Sequence, residues 1–109
     1  MINAWASWCP ACREEWPLLA SASARFGRRV AFIGVDSLDP AAGQATSWLT
    51  ANPVSYPSYI SLSGALPVSG VPGLPTTIFI DAAGNVTHTQ FGQYDSQGAL
   101  DGDINRYAL

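Results

Sequence analysis

The sequence is poor in the residues that most often announce a function. Among 109 residues it has one histidine, one methionine, two cysteines and only five lysines and arginines, with a net charge of −3. So few cations offer no basic patch to nucleic acid and no polybasic segment to an anionic membrane surface. No apolar run approaches the roughly 18 residues of a spanning helix, so direct membrane insertion is not expected of this chain. The charged start and apolar stretch of an export signal are missing as well. Instead the chain opens abruptly on Met1-Ile2-Asn3-Ala4-Trp5, as if cut inside a strand, and the expectation is an N-terminally truncated domain whose leader or anchor lies upstream. The two cysteines are too close together to form the widely spaced pairs of a secreted disulfide framework.

What the chain does have is apolar material: 48% hydrophobic residues, with four Trp, four Tyr and four Phe. That is enough for the core of one small domain spanning residues 1–109. Residues 2–6 read as a buried strand that leads straight to the cysteines. A helix then starts near Pro10, which suits a first turn because its missing N–H would be unpaired there anyway, and Leu19, Ala22 and Phe26 recur at helical spacing until Gly27. Pro17 is expected to kink it. Val30 to Val35 is a near-continuous apolar run, the pattern of a strand covered on both faces, and Asp36 is read as its end. Asp39 and Pro40 read as N-cap and first residue of a second helix that stops near Asn52, because the residue before Pro53 disfavours helix. Residues 53–75 form a long connection with one short strand among Tyr56, Tyr59, Ile60 and Leu62. Residues 76–80 and 86–91 read as a hairpin around the turn 82–85. Ser96 caps a last helix with Leu100, Ile104 and Tyr107 or Ala108 on one face. The order is βαβαββα, an α/β fold with a central mixed sheet of four or five strands flanked by helices.

The chemistry resides in Trp8-Cys9-Pro10-Ala11-Cys12. Disulfide exchange needs a thiolate that attacks and a second thiol near enough to resolve the mixed disulfide, and two intervening residues on a helical turn supply that proximity. At the first turn, unpaired backbone N–H groups and the positive end of the helix dipole favour Cys9 as thiolate, with Cys12 one turn further in and more buried. Cys9 is therefore read as the nucleophile, Cys12 as the resolving thiol, and Trp8 as an aromatic beside an exposed sulfur where a substrate would meet it. Arg13 favours a thiolate and Glu14 and Glu15 oppose it. Half a zinc site is the first alternative, but the sole histidine, His88, lies on a distant strand and cannot complete a tetrahedron. A purely structural disulfide is the second, and so small a loop gains little from closure.

Three segments together, Ala6-Ser7-Trp8-Cys9-Pro10-Ala11-Cys12, Glu15-Trp16-Pro17 and Gly73-Leu74-Pro75-Thr76-Thr77-Ile78-Phe79-Ile80-Asp81, resemble the thioredoxin superfamily and its TlpA/ResA/DsbE-like branch. Gly92 and Leu100 resemble the strand-ending glycine and last-helix leucine of that family. The resemblance implies a thioredoxin-like fold with its first strand partly missing. It also implies a cis bond between Leu74 and Pro75, set opposite the cysteines, whose exposed backbone would pair with an extended substrate. Where thioredoxin buries a carboxylate before its cysteines this sequence has Asn3, so general-base help for Cys12 comes from Glu15, from water or from no group at all, and Glu15 would need a raised pKa to serve. The branch usually carries at least one further strand before residues 2–6, without which a sheet edge there would be less protected.

The implied function is a protein-disulfide oxidoreductase that uses no cofactor beyond its own Cys9–Cys12 disulfide. It would reduce cysteine pairs of exported or membrane-attached proteins, as in cytochrome c maturation, and take electrons from an upstream thiol donor. Its place would be extracytoplasmic, on the periplasmic or cell-envelope side, and its state monomeric. An oxidase of the same fold is the nearest rival. A thiol peroxidase would need a Pro and a Thr or Ser where Ile2 and Ala6 stand. A redox-inert binding module using residues 53–75 is the alternative of another class.

Overall fold

The computed structural model describes residues 1–37, 39, 42–61, 66 and 73–109. Pro40 and Leu62, two residues of the sequence reading, lie outside the described residues. In chain order the elements are β1 (Ile2–Trp5), α1 (Pro10–Phe26), β2 (Ile33–Ser37), α2 (Ala42–Ala51), β3 (Ser58–Ser61), β4 (Thr76–Ile80), β5 (Val86–Phe91) and α3 (Gln97–Tyr107). The five strands form one mixed sheet in the order β3-β2-β1-β4-β5. Strands β1, β2 and β3 run parallel, and β4 and β5 are antiparallel to their neighbours.

The short strand expected within residues 53–75 is β3, which makes the order βαβαβββα rather than βαβαββα, and the structure moves several boundaries. The second strand begins at Ile33, three residues later than expected. Val30 instead closes the end of α1, its N–H donating to Phe26 C=O at 2.9 Å, and β2 starts where Ile33 N–H meets Met1 C=O at 3.0 Å. Asp36 does not end β2 but lies inside it, aligned with Trp5 on one side and Ile60 on the other. α2 is described from Ala42 and the Asp39 carboxylate turns to Ser7, while residues 40 and 41, on which the reading of Asp39 as its cap depends, lie outside the described residues. Pro17 sits within α1 without ending it. The expectation of a weakly protected edge at residues 2–6 is overturned, because β1 pairs with β2 and with β4 and is the central strand. Its apolar residues are those of a strand covered on every side, and the edges fall to β3 and β5.

Two apolar clusters hold the helices to the sheet. Leu19, Ala22 and Phe26 of α1 meet Phe79 of β4 and Leu100 and Ile104 of α3 in the larger one. Each fully buried aliphatic side chain of this kind stabilises the fold by about 1.5–3 kcal/mol. The smaller cluster gathers Trp5, Ala6, Trp16 and Ala45 around Cys9 and Cys12. Within it the rings of Trp5 and Trp16 meet edge to face at 4.9 Å, and Trp16 meets Trp48 at 5.9 Å. Each buried indole N–H is satisfied, Trp5 donating to Ser58 Oγ at 3.2 Å and Trp16 to Asn52 C=O at 3.1 Å.

The Trp5 to Ser58 bond crosses β2 at Gly34, and only glycine leaves room for it. A Cβ at Gly34 would stand 3.1 Å from the Trp5 Nε1 and closer still to Ser58 Oγ. Gly34→Ala should therefore lower the unfolding free energy by about 1–3 kcal/mol through overpacking. Urea denaturation reads this directly, and an unchanged midpoint would mean that β2 and β3 separate freely to admit the methyl group.

Candidate active site

Strand direction explains why residues far apart in sequence share one place. Because β1 and β2 are parallel, the loop to α1 and the segment after β2 leave the sheet at the same end. Because β4 runs the opposite way, its first residue, Thr76, lies beside Ala4 near that end. Leu74-Pro75, just before Thr76, thus arrives next to the cysteines, and Leu74 packs against their cluster. The Leu74–Pro75 peptide bond is cis.

Cys9 and Cys12 are joined by a disulfide, with their Cα atoms 5.3 Å apart. Cys9 is the N-cap of α1, and its sulfur accepts the Cys12 backbone N–H at 3.2 Å. A sulfur in that position receives the unpaired donor and the dipole field that favour a thiolate once the disulfide is opened. One expectation needs correction: Cys9 is only 4% exposed against 1% for Cys12, so both sulfurs are covered in the disulfide form and Cys9 is the more accessible by a narrow margin. The neighbouring aromatic cluster accounts for this cover. Trp8, in contrast, is half exposed and lines a groove of about 750 Å³ with Ser7, Arg13, Trp48 and Asn52.

Glu15 sits one turn after Cys12 on the same helix and is 1% exposed. Its Oε1 accepts Asn3 Nδ2 at 2.9 Å, and its Oε2 accepts Tyr94 N–H at 3.0 Å. The Asn that stands in place of a buried acid thus serves as the donor that orients one. Burial pushes the Glu15 pKa up to about 7, against the smaller opposing effect of the Tyr94 and Asn3 hydrogen bonds. A carboxyl that titrates near neutrality can both take and give a proton there.

The loop before the cysteines is held more tightly than the sequence implied. Ser7 donates from its N–H and its hydroxyl to the two oxygens of Asp39, at 2.9 and 2.6 Å, and its C=O accepts Arg13 Nε at 2.7 Å. The Arg13 guanidinium lies over the Trp48 ring, 4.8 Å from its centroid. Cys9 N–H closes the turn onto Ala6 C=O at 3.2 Å. Ser7 and Asp39 gave no distinctive signal in the sequence, because a serine before an aromatic and an aspartate before a proline each have an ordinary local explanation. His88 is half-buried on β5, its ring stacked on Tyr107 at 4.3 Å, remote from the cysteines. Among the described residues no three His, Cys, Asp or Glu side chains gather as metal ligands.

The chain matches the redoxin family over residues 1–104. It belongs to that family. Within it the chain stands in the TlpA/DsbE-like branch of the thioredoxin superfamily: it is 35% identical over 94 residues to the thiol:disulfide interchange protein DsbE homolog of Paracoccus denitrificans, covering 84% of this chain and 50% of the relative. It is 37% identical over 101 residues to the thiol:disulfide interchange protein DsbE of Vibrio cholerae, covering 89% and 52%. A crystal structure of a thiol:disulfide interchange protein DsbE from Chlorobium tepidum superposes with a TM-score of 0.87 at 28% identity, over 96% of this chain and 76% of that one. The chain spans about half the length of the curated relatives it matches. This redoxin-family unit thus carries a C-x-x-C disulfide at a helix N-terminus.

The raised Glu15 pKa has a consequence for folding. The folded redoxin domain holds this proton more tightly than the unfolded chain, whose Glu15 titrates near 4.5. Stability from this group is therefore fullest below about pH 4.5, falls by about 3 kcal/mol as the pH rises to about 7, and is level above. Glu15→Gln should lack that slope. Urea midpoints of the two proteins across this range should converge or cross as the pH rises, and parallel curves would show that Glu15 titrates like an exposed acid.

Proposed function

We propose that the protein carrying this domain reduces disulfides in other proteins on the extracytoplasmic side of a membrane, in the manner of cytochrome c maturation. The observation that carries the reading is the Cys9–Cys12 pair itself, with the Cys9 sulfur at the N-terminus of α1 and Leu74 packed against the cluster that contains the pair. Relatives described as thiol:disulfide interchange proteins support the reaction class, and the resemblance to the TlpA/ResA/DsbE-like branch supports the substrate class and the location. No described helix is long and apolar enough to cross a membrane.

In the reduced domain the Cys9 thiolate attacks one sulfur of a substrate disulfide and forms a mixed disulfide, releasing the other sulfur as thiolate. Cys12 then attacks Cys9, freeing the second substrate sulfur and restoring the Cys9–Cys12 disulfide, so two electrons pass to the substrate. Cys12 must lose its proton for this, and Glu15 is the buried group on the same helix with a suitable pKa to take it. Trp8, Leu74 and Pro75 form the surface beside Cys9 on which an extended substrate segment lies. An upstream thiol donor re-reduces the pair, and no further cofactor takes part.

Cys9→Ser should abolish the catalysed reduction of insulin by dithiothreitol, and Cys12→Ser should accumulate a mixed disulfide with substrate that gel electrophoresis without reductant resolves. Insulin reduction that survives Cys9→Ser would remove the enzymatic reading. Equilibration with glutathione buffers and thiol trapping should place the couple below about −150 mV, the side of the known range occupied by reductants. A value above it would reverse the direction and make the protein a disulfide former.

A further inference from the structure

Asp36, inside β2, is 1% exposed, and neither of its side-chain oxygens receives a hydrogen bond from any N–H or O–H group of the described protein. A buried carboxylate left in that condition is costly. The group that faces it is another carboxyl, that of Asp39. Two facing carboxyls can satisfy each other only by holding a proton between them, since two adjacent charges in a poorly solvated site repel. The far side of Asp39 is already committed to Ser7, two residues before the nucleophile, through both N–H and hydroxyl.

We propose that Asp36 and Asp39 share one proton and through it clamp the Ser7 backbone, which makes them positioning residues for the Cys9 thiol. Asp36 is the neutral donor, anchored in the sheet. Asp39 is the carboxylate, half-buried, which accepts from Asp36 on one side and from Ser7 on the other. Burial, with Asp39 opposite, pushes Asp36 up to about 7. Burial would raise Asp39 too, but its hydrogen bonds with Asp36 and Ser7 outweigh that and hold it below its ordinary value. Around the pair, β1, β3 and α2 contribute no charged residue. The cation of α1 that reaches this place is Arg13, bound to the other side of Ser7 at its carbonyl. When the shared proton leaves, no cation among the described residues is ion-paired with either carboxylate, and the repulsion is relieved by Asp39 swinging outward and releasing Ser7. The turn that carries Cys9 then loses two of the three hydrogen bonds on Ser7.

The inference rests on the thiol-exchange reading of Cys9, and its test needs no protein substrate. The rate of Cys9 alkylation by iodoacetamide is measured by mass spectrometry on the reduced full chain between about pH 5 and 9. Besides the rise due to the thiolate, the rate per thiolate should fall several-fold as the pair loses its proton. Asp36→Asn gives Asp39 a permanent amide donor, so this second inflection should vanish, whereas in Glu15→Gln it should persist. Asp39→Ala should slow alkylation about five- to tenfold across the range, and Asp39→Asn, which still accepts from the Ser7 N–H, should recover most of that loss. An Asp39→Ala rate equal to that of the unsubstituted protein, or an Asp39→Asn rate as low as that of Asp39→Ala, would overturn the clamp. Identical pH profiles for the unsubstituted protein and Asp36→Asn would overturn the shared proton, and this comparison stands even where Asp39→Ala fails to fold. Failure of these outcomes leaves the insulin assay untouched, and failure of that assay with Cys9→Ser leaves the alkylation profile interpretable.

Discussion

One hydrogen bond organises the domain: the Cys12 backbone N–H pointing at the Cys9 sulfur. It exists because a helix begins at Pro10 directly after the central strand, with only residues 6–9 to make the turn. The first-turn donors of a helix need partners, and here the partner is a sulfur rather than a serine or aspartate oxygen. The same bond that caps the helix favours the charge that the chemistry requires on Cys9. Folding and reactivity are thus served by one contact, and whatever moves that turn alters both.

The surroundings of the pair are arranged to keep that turn still. Trp5, Trp16 and Trp48 form an edge-to-face series beneath it, each buried indole N–H bonded, and Arg13 lies across the last ring while holding the Ser7 carbonyl. Two buried acids flank the site from different elements: Glu15 on α1 behind Cys12, and Asp36 on β2 behind the Ser7 turn. Their surroundings differ in a way that separates their roles. Glu15 is given two donors, from Asn3 and Tyr94, so its charged form is tolerated and it can exchange a proton. Asp36 is given no donor and a carboxyl opposite, so its neutral form is favoured. A proton relay and a proton clamp are the uses these two environments suit.

Much of this was legible in the sequence, and the reasons are specific. The cysteine pair, Pro10 at the first helical turn, the apolar periodicity of α1 and the hairpin of residues 76–91 are local signals, each with a short-range physical cause, and they gave the α/β fold and the reactive centre. The resemblance added Leu74-Pro75, which no local signal connects to Cys9. What escaped depended on strand register. That residues 2–5 form the central strand follows from pairing on both sides, which an apolar pentapeptide does not reveal. Asp36 read as a strand end because a charged residue after an apolar run has that ordinary meaning. The alignment of β1 with β2 makes it a buried group beside the redox turn instead.

The cover over Cys9 joins these strands of argument. A cysteine 4% exposed cannot be approached by a disulfide unless the cover is thin and its sulfur is held in line with the opening. Trp8, half exposed on the adjoining groove, and Leu74, packed against the cluster that holds both cysteines, are the described side chains that border this place. Attack at a disulfide demands near-linear alignment of three sulfurs, so a narrow approach is useful only if the nucleophile does not wander. That requirement explains why Ser7, a residue with no chemistry of its own, receives three side-chain hydrogen bonds from or to Asp39 and Arg13. Immobility of the turn, rather than exposure of the thiol, is what this architecture supplies to the reaction.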